Sequence, residues 1–346
     1  DLNSATPWGD YESRIELKKS NLAGCDVTGL WVDYRAGLAV DSSSLAGLDS
    51  SSRALNIERN VLDSTVTHSA LLSPSKIFPR HVGCKATITN NTIHGDGALY
   101  FPMYVSTSCD TVISDNSFAG WRTTSRYGCL SIVFSQTSGE GLEMSGNTFR
   151  NISAAHIVDL SLRATGKATN INNIFLNDLV ATGSYNAIKA LVQIRAWPST
   201  PMITSKGNIF ATNLTDDSQF YVEIFQHSSA VADVEEIDFS RSFWNSPDVL
   251  DIVRSIYDGV DVLGRPTVIF SPFLLIPDED GPIDDGAVPF LLPGNILAGV
   301  LPADENLTLA PGNYTSDGSV LVEGDLMLEA GVVIRVSSGD FIFVEG

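Results

Sequence analysis

One short phrase recurs along the chain: an asparagine, any residue, then a large apolar residue, after a strand-like run. It reads Asn60-Val-Leu62, Asn91-Thr-Ile93, Asn116-Ser-Phe118, Asn147-Thr-Phe149, Asn173-Ile-Phe175 and Asn208-Ile-Phe210, with a weaker copy at Asn21-Leu-Ala23. From Asn60 to Asn208 the steps are 31, 25, 31, 26 and 35 residues. Steps of that size belong to solenoids, in which each circuit of chain buries its apolar face on its neighbours. Their inequality suits a fold that keeps its strands constant and lets the loops between them vary. A sandwich or propeller would need hairpin signals such as Asn-Gly or Asp-Gly, and few are present. The expected fold is therefore all-β, a right-handed parallel β-helix (a pectin-lyase-like solenoid), right-handed because parallel strand connections take that hand.

The asparagine is expected at the bend between two short strands. There it tolerates left-handed backbone geometry, caps free backbone groups and bonds to its copies along the axis. The residue three places before it is Ile57, Ile88, Ile113 and Met144 in the first four copies, and Asn170 and Ser205 in the last two, as if the pattern decays.

The phrase also gives a register for the cysteines. Cys84 and Cys109 each lie seven residues before a ladder asparagine, Asn91 and Asn116. If the asparagines stack, so do these cysteines, one strand spacing of about 4.8 Å apart, inside the reach of a disulfide. A Cys84–Cys109 bond is expected; Cys25 and Cys129 have no such register. Disulfides imply an extracellular location, as do five Asn-x-Ser/Thr sequons at Asn90, Asn151, Asn213, Asn306 and Asn313. The chain begins at Asp1, as a processed or excised piece would, and no run approaches 18 apolar residues, so no membrane span is expected in this segment. With 41 acidic against 21 basic residues the net charge is −20, which repels nucleic acid and anionic lipid.

After about residue 235 the pattern changes. Apolar residues at 249, 250, 252, 253, 256 and 257 suit a short amphipathic helix opened by Ser246-Pro247-Asp248, which would cap the last coil. Trp244, Arg254, Ile256, Tyr257, Asp258, Leu263, Gly264, Ser271, Pro272, Phe273 and Leu274 follow one another in a block that resembles the closing block of large metazoan surface proteins of the bark beetle (Anakonda) type. Asn245 stands where that family has glycine. Residues 294–346, with Gly318–Gly324, Leu326–Arg335 and Phe341–Gly346, resemble the opening of such a region, Ala330 standing where proline is usual. The resemblance implies a parallel β-helix over residues 1–240 and a closing, capping block over 241–275. An acidic Pro/Gly linker over 276–293 and the opening β segment of a next unit over 294–346 would follow. It implies a non-catalytic structural or adhesive module of a larger tandem-repeat surface or filament protein. The partners would be copies of itself or other extracellular surface proteins.

Fold alone does not carry function, and β-helices also host polysaccharide lyases and glycoside hydrolases. Such enzymes need clustered carboxylates. Here Asp63, Asp96, Asp110, Asp115, Asp159 and Asp178 look scattered, and His68, His81, His94, His156 and His227 lack metal-ligand spacing. No catalytic residue and no cofactor is expected. Asp278, Asp280, Asp284 and Asp285 echo an oxygen-rich calcium loop, but Pro282 interrupts it and a solvated linker is the simpler reading. Trp8, Trp31, Trp121, Trp197 and Trp244 could stack on sugars, though tryptophans more often cover a core.

Overall fold

The computed structural model describes residues 13–18, 21–25, 30–32, 36–41, 44–47, 55–57, 63–67, 69–72, 76–77, 85–98, 103–107, 110–122, 129–134, 141–163, 167–176, 179–180, 189–196, 203–214, 219–226, 236–258, 265–284, 290–292, 294–336 and 341–344. Most of these residues are in strands, and nearly all strand pairs are parallel. The chain visits three sheets in turn. Ser13–Lys18 opens the first, Asn21–Cys25 the second and Leu30–Val32 the third. The next strand of each is Ala36–Asp41, Ser44–Gly47 and Leu55–Ile57. Up to Leu142–Ser145 each strand of the first sheet pairs with the strand three places on; later steps are two to four places as short extra strands intervene, and the parallel order runs to Thr267–Ile269 in that sheet.

Alternation explains the interior. In Asp110–Ser114 burial alternates with a period of two, as it must when one face of a strand meets the core. Ile88, Ile113 and Met144 come from the first sheet, Ile93, Phe118 and Phe149 from the second, and Val105, Ile132 and Leu160 from the third. All join one buried cluster. Phe118, Phe149, Phe175 and Phe210 form a column with ring centroids 4.8, 5.0 and 5.2 Å apart. That spacing is the strand spacing, so each ring stacks on the copy one circuit away; such pairs contribute roughly 0.5–1.5 kcal/mol beyond their burial.

The column ends on Trp244. Phe243 bridges to Ile209, which sets Trp244 beside Phe210 at 5.0 Å. Phe239, Phe270 and Phe273 pack with it in the core. The helix is shorter than its apolar spacing suggests: it spans Val249–Arg254, with Ile252 in the core. Ser246 Oγ accepts from the Asp248 N–H and donates to Asp251 at its start. Ile256–Tyr257 is instead a strand that extends the third sheet, Ile256 pairing with Val222. Both patterns put apolar residues inward, and the vacant edge beside Gln219–Gln226 decides in favour of the strand.

The expected linker is partly a hairpin. Ile283–Asp284 folds back antiparallel on Phe273–Leu274, and Leu275 N–H donates to the Pro282 carbonyl. Phe273–Leu274 follows the second sheet through a bridge from Phe243 to Leu274, so this hairpin covers the forward edge of that sheet. Residues 285–289 and 293 lie outside the described residues. Phe290 and Leu297 belong to a second core with Leu301, Leu309, Tyr314, Val320 and Val322. Around it Ile296–Leu301, Gly312–Val322 and Val332–Arg335 pair in parallel, as do Asn306–Leu309 and Asp325–Leu328.

Candidate functional site

The recurring asparagines occupy one position of each circuit, between the first and second sheets. The Asn91 side-chain amide donates to Asn116 Oδ1 at 2.9 Å, Asn116 to Asn147 at 2.9 Å, Asn147 to Asn173 at 2.9 Å and Asn173 to Asn208 at 3.2 Å. From Asn116 onward each Oδ1 also accepts the backbone N–H of the preceding asparagine, and each Nδ2 reaches a first-sheet carbonyl such as Val66, Ile88 or Ile113. All five are buried. The turn leaves one donor and one acceptor per circuit without a sheet partner. A carboxamide is the side chain that answers both, and left unmet they would be costly to bury.

Both ends of the row are serines. Ser69 N–H donates to Asn91 Oδ1, and Asn208 N–H to Ser242 Oγ. Asn60 lies outside the described residues, and the rung before Asn91 belongs to Ser69, because Ala70 pairs with Thr92. Accordingly Ile57 is a third-sheet residue, and the partner of Ile88 is Val66. Asn21 falls one place beyond the row: it pairs with Ser44, which pairs with Ala70.

The left-handed residue is the one before the ladder asparagine, not the asparagine itself. Asn90, Asp115, Gly146, Asn172, Gly207 and Arg241 all have φ between 52° and 66°. Two are glycine for lack of room. A Cβ on Gly146 would lie 2.5 Å from Asp115 Oδ1, and one on Gly207 2.1 Å from Asn172 Oδ1. The polar Asn170 and Ser205 are likewise no decay of the pattern. Asn170 donates to Ser205 Oγ at 2.7 Å and accepts from Asn173 at 2.8 Å, while Asn208 donates to Ser205 Oγ at 3.1 Å, which makes a second buried branch of the row.

A different polar row crosses the third sheet. Register aligns Ser131, Asp159, Gln193, Glu223 and Tyr257 on the face opposite the core. Arg195 holds Asp159 with two bonds, Nε to Oδ1 at 2.9 Å and Nη2 to Oδ2 at 3.0 Å. Its Nε also donates to Gln193 Oε1, and Gln193 in turn donates to Glu223. Arg265 stacks on the Tyr257 ring at 4.9 Å and donates to the Ile224 carbonyl. Asp159, Gln193 and Glu223 are all buried. Burial pushes the carboxyls of Asp159 and Glu223 up, while Arg195 and Gln193 respectively pull them back. Nearby, burial and then the Arg195 charge lower His156 to about 4, against a bond that the ring donates to the Ala190 backbone, so this imidazole is neutral at physiological pH.

In the sequence Asp159 stands as one scattered acid, with its partners far off along the chain. The signal was there in three similar strands, Val158-Asp-Leu160, Val192-Gln-Ile194 and Val222-Glu-Ile224. Asp159, Gln193 and Glu223 stand 12, 20 and 15 residues after Asn147, Asn173 and Asn208, so unequal loops hide the alignment.

The five sequon asparagines, Asn90, Asn151, Asn213, Asn306 and Asn313, are all exposed. Asn213 accepts a bond from Asn245 at 2.9 Å. Cys84 and Cys109 lie outside the described residues; the residues that follow them, Lys85 and Asp110, are register partners. Cys129 is buried, and Cys25 ends a second-sheet strand. Asp278, Asp280 and Asp284 lie in and beside the turn of the hairpin, where Asp278 Oδ1 caps the Asp280 N–H; Asp285 is outside the described residues. No group of three metal-ligating side chains occurs among the described residues. No helix among them is long and apolar enough to cross a membrane. Comparison with family models, curated proteins and solved structures finds no match to this chain.

Proposed function

We propose that the chain is a right-handed parallel β-helix from a larger extracellular protein of structural or adhesive role, related to the bark beetle type of surface protein. The observation that carries this is where the polar side chains go. The asparagine row and the Asp159–Arg195–Gln193–Glu223 row bond one circuit to the next, which stiffens a stack and leaves little free to react. Exposure of every sequon asparagine supports N-glycosylation and hence a secretory route. Partners are further copies or other surface proteins, met through the outer loops and strand edges.

Electron microscopy of the native protein, purified without reduction, tests this reading. Rods or fibres are expected; compact globules would overturn it. A second reading, a carbohydrate-binding or carbohydrate-cleaving face, draws support from Asp159 and Glu223. They sit two strand spacings apart, roughly 9.6 Å, near the upper end for inverting glycosidases. A polyuronide cleavage assay with calcium separates the two, since release of oligosaccharide would replace the structural reading.

A further inference from the structure

The outer face of the third sheet carries a cation with most of its donors unused. Gln219–Gln226 pairs with Lys189–Ala196 on one side and with Ile256–Tyr257 on the other. Along it Glu223 and Phe225 alternate with the core residues Val222 and Ile224, so both point away from the interior. Arg265 reaches this face from the segment that leads into Thr267–Ile269. Its Cζ lies over the Tyr257 ring at 4.9 Å and over the Phe225 ring at 5.8 Å, and Nη1 donates to the Ile224 carbonyl at 2.7 Å. Phe220 packs on Tyr257 in turn, with ring centroids 5.2 Å apart.

Two rings and one carbonyl therefore fix the guanidinium while leaving most of its N–H groups free. Among the described residues no carboxylate forms an ion pair with Arg265. Glu223 feels its charge, but that carboxyl is buried, and Gln193 donates to one of its oxygens. Phe225 is meanwhile 38% exposed and Arg265 and Tyr257 are half-buried, so ring and cation share an open surface. A single exposed phenylalanine needs no explanation. A guanidinium held in place beside it, with donors to spare and no anion, does.

We propose that Arg265, Phe225 and Tyr257 form a binding site for an acidic sugar, one that carries a carboxylate or a sulfate ester. The inference rests on the adhesive reading and names the chemistry of the partner. The free donors of Arg265 suit a two-pronged bond to an oxyanion, which brings the counter-charge the site lacks. The exposed ring of Phe225 offers an apolar surface for the C–H face of the sugar. Because the rings already hold the guanidinium, binding pays little to order it. An acidic peptide would favour a vacant strand edge or an apolar groove, and Gln219–Gln226 is paired on both sides. The net charge of −20 repels polyanions in general, so an acidic sugar is held here by local geometry and not by the field of the whole chain.

Isothermal titration calorimetry on the full chain tests the site. The probes are a galacturonate tetrasaccharide, a sulfated galactan tetrasaccharide and neutral maltotetraose. One or both acidic probes should bind and maltotetraose should not; which of them binds tells carboxylate from sulfate. Arg265→Gln should weaken binding about tenfold or more, the loss of one charge-assisted hydrogen bond. Arg265→Lys, which keeps the charge without the planar fork, should fall between the two. Phe225→Ala, at an exposed ring, should also weaken binding, and it carries the test if circular dichroism shows Arg265→Gln unfolded. Silence from both acidic probes, equal binding of maltotetraose, or unchanged affinity in a folded variant overturns the proposal. Rods in the microscope that bind neither acidic sugar would sink this site and leave the structural reading standing; compact globules that bind one would do the reverse.

Discussion

Replacing Asn147 by alanine should be among the most costly substitutions of a single polar side chain in this molecule. Its Oδ1 accepts the Asn116 backbone N–H at 3.1 Å and the Asn116 amide at 2.9 Å. Its Nδ2 donates to the Ile113 carbonyl at 2.8 Å and to Asn173 Oδ1 at 2.9 Å. The substitution removes these and strands the Asn116 N–H in a buried site that water does not reach. A buried group left without its partner costs about 1–3 kcal/mol, so losing two acceptor contacts puts Asn147→Ala at about 4 kcal/mol. Serine serves at both ends of the row, so Asn147→Ser should cost about half as much. Glu143→Ala, at an exposed position of the same circuit, should stay within about 0.5 kcal/mol. Urea denaturation gives the totals. Stacked circuits need not unfold together, so hydrogen exchange should be read at Ser117–Arg122 and Thr148–Arg150, the strands beside the lesion. A cost below 1 kcal/mol for alanine, or equal costs for serine and alanine, would refute the idea that the carboxamides hold the turns.

Gly207→Ala should destabilise by about 1–2 kcal/mol from its left-handed backbone alone, and Asn172→Gly beside it should restore part of the loss by clearing the oxygen that the new Cβ meets, as thermal melts of the double variant would reveal. Arg195→Met should cost about 3–5 kcal/mol because Asp159 is left buried and unpaired, whereas Arg195→Met with Asp159→Leu should recover most of it in the same chemical denaturation. His156 makes the fold acid-sensitive. Above pH 6.5 the ring is neutral in both states; between 6.5 and about 4 only the unfolded chain takes up the proton, so stability falls with pH by about 3 kcal/mol. Asp159 and Glu223, held up by burial, work in the opposite sense. The test is therefore the difference between the wild type and His156→Leu measured from pH 7 to 4, and a flat difference would contradict it.

The parallel strand order was legible because one position per circuit has a narrow chemical requirement. A buried turn with an unmet donor and acceptor takes asparagine, and the apolar residue two places on must fill the interior, so both recur in the sequence as Asn-x-Phe. Where serine meets the same need, at Ser69 and Ser242, the requirement is looser and the row ran on unseen. The extent of the helix, the fate of Ile256–Tyr257 and the hairpin at Ile283–Asp284 were decided by which strand edges stood vacant, a property of the assembled sheets. The Asp159–Arg195–Gln193–Glu223 row is of the same kind. Asp159 and Arg195 are 36 positions apart and Gln193 and Glu223 are 30 apart, separated by loops of unequal length. Local sequence carries period and burial, because those follow from the backbone geometry of each strand. Which side chains meet across circuits depends on loop lengths that the strands do not constrain, and only the register of the folded sheets settles it.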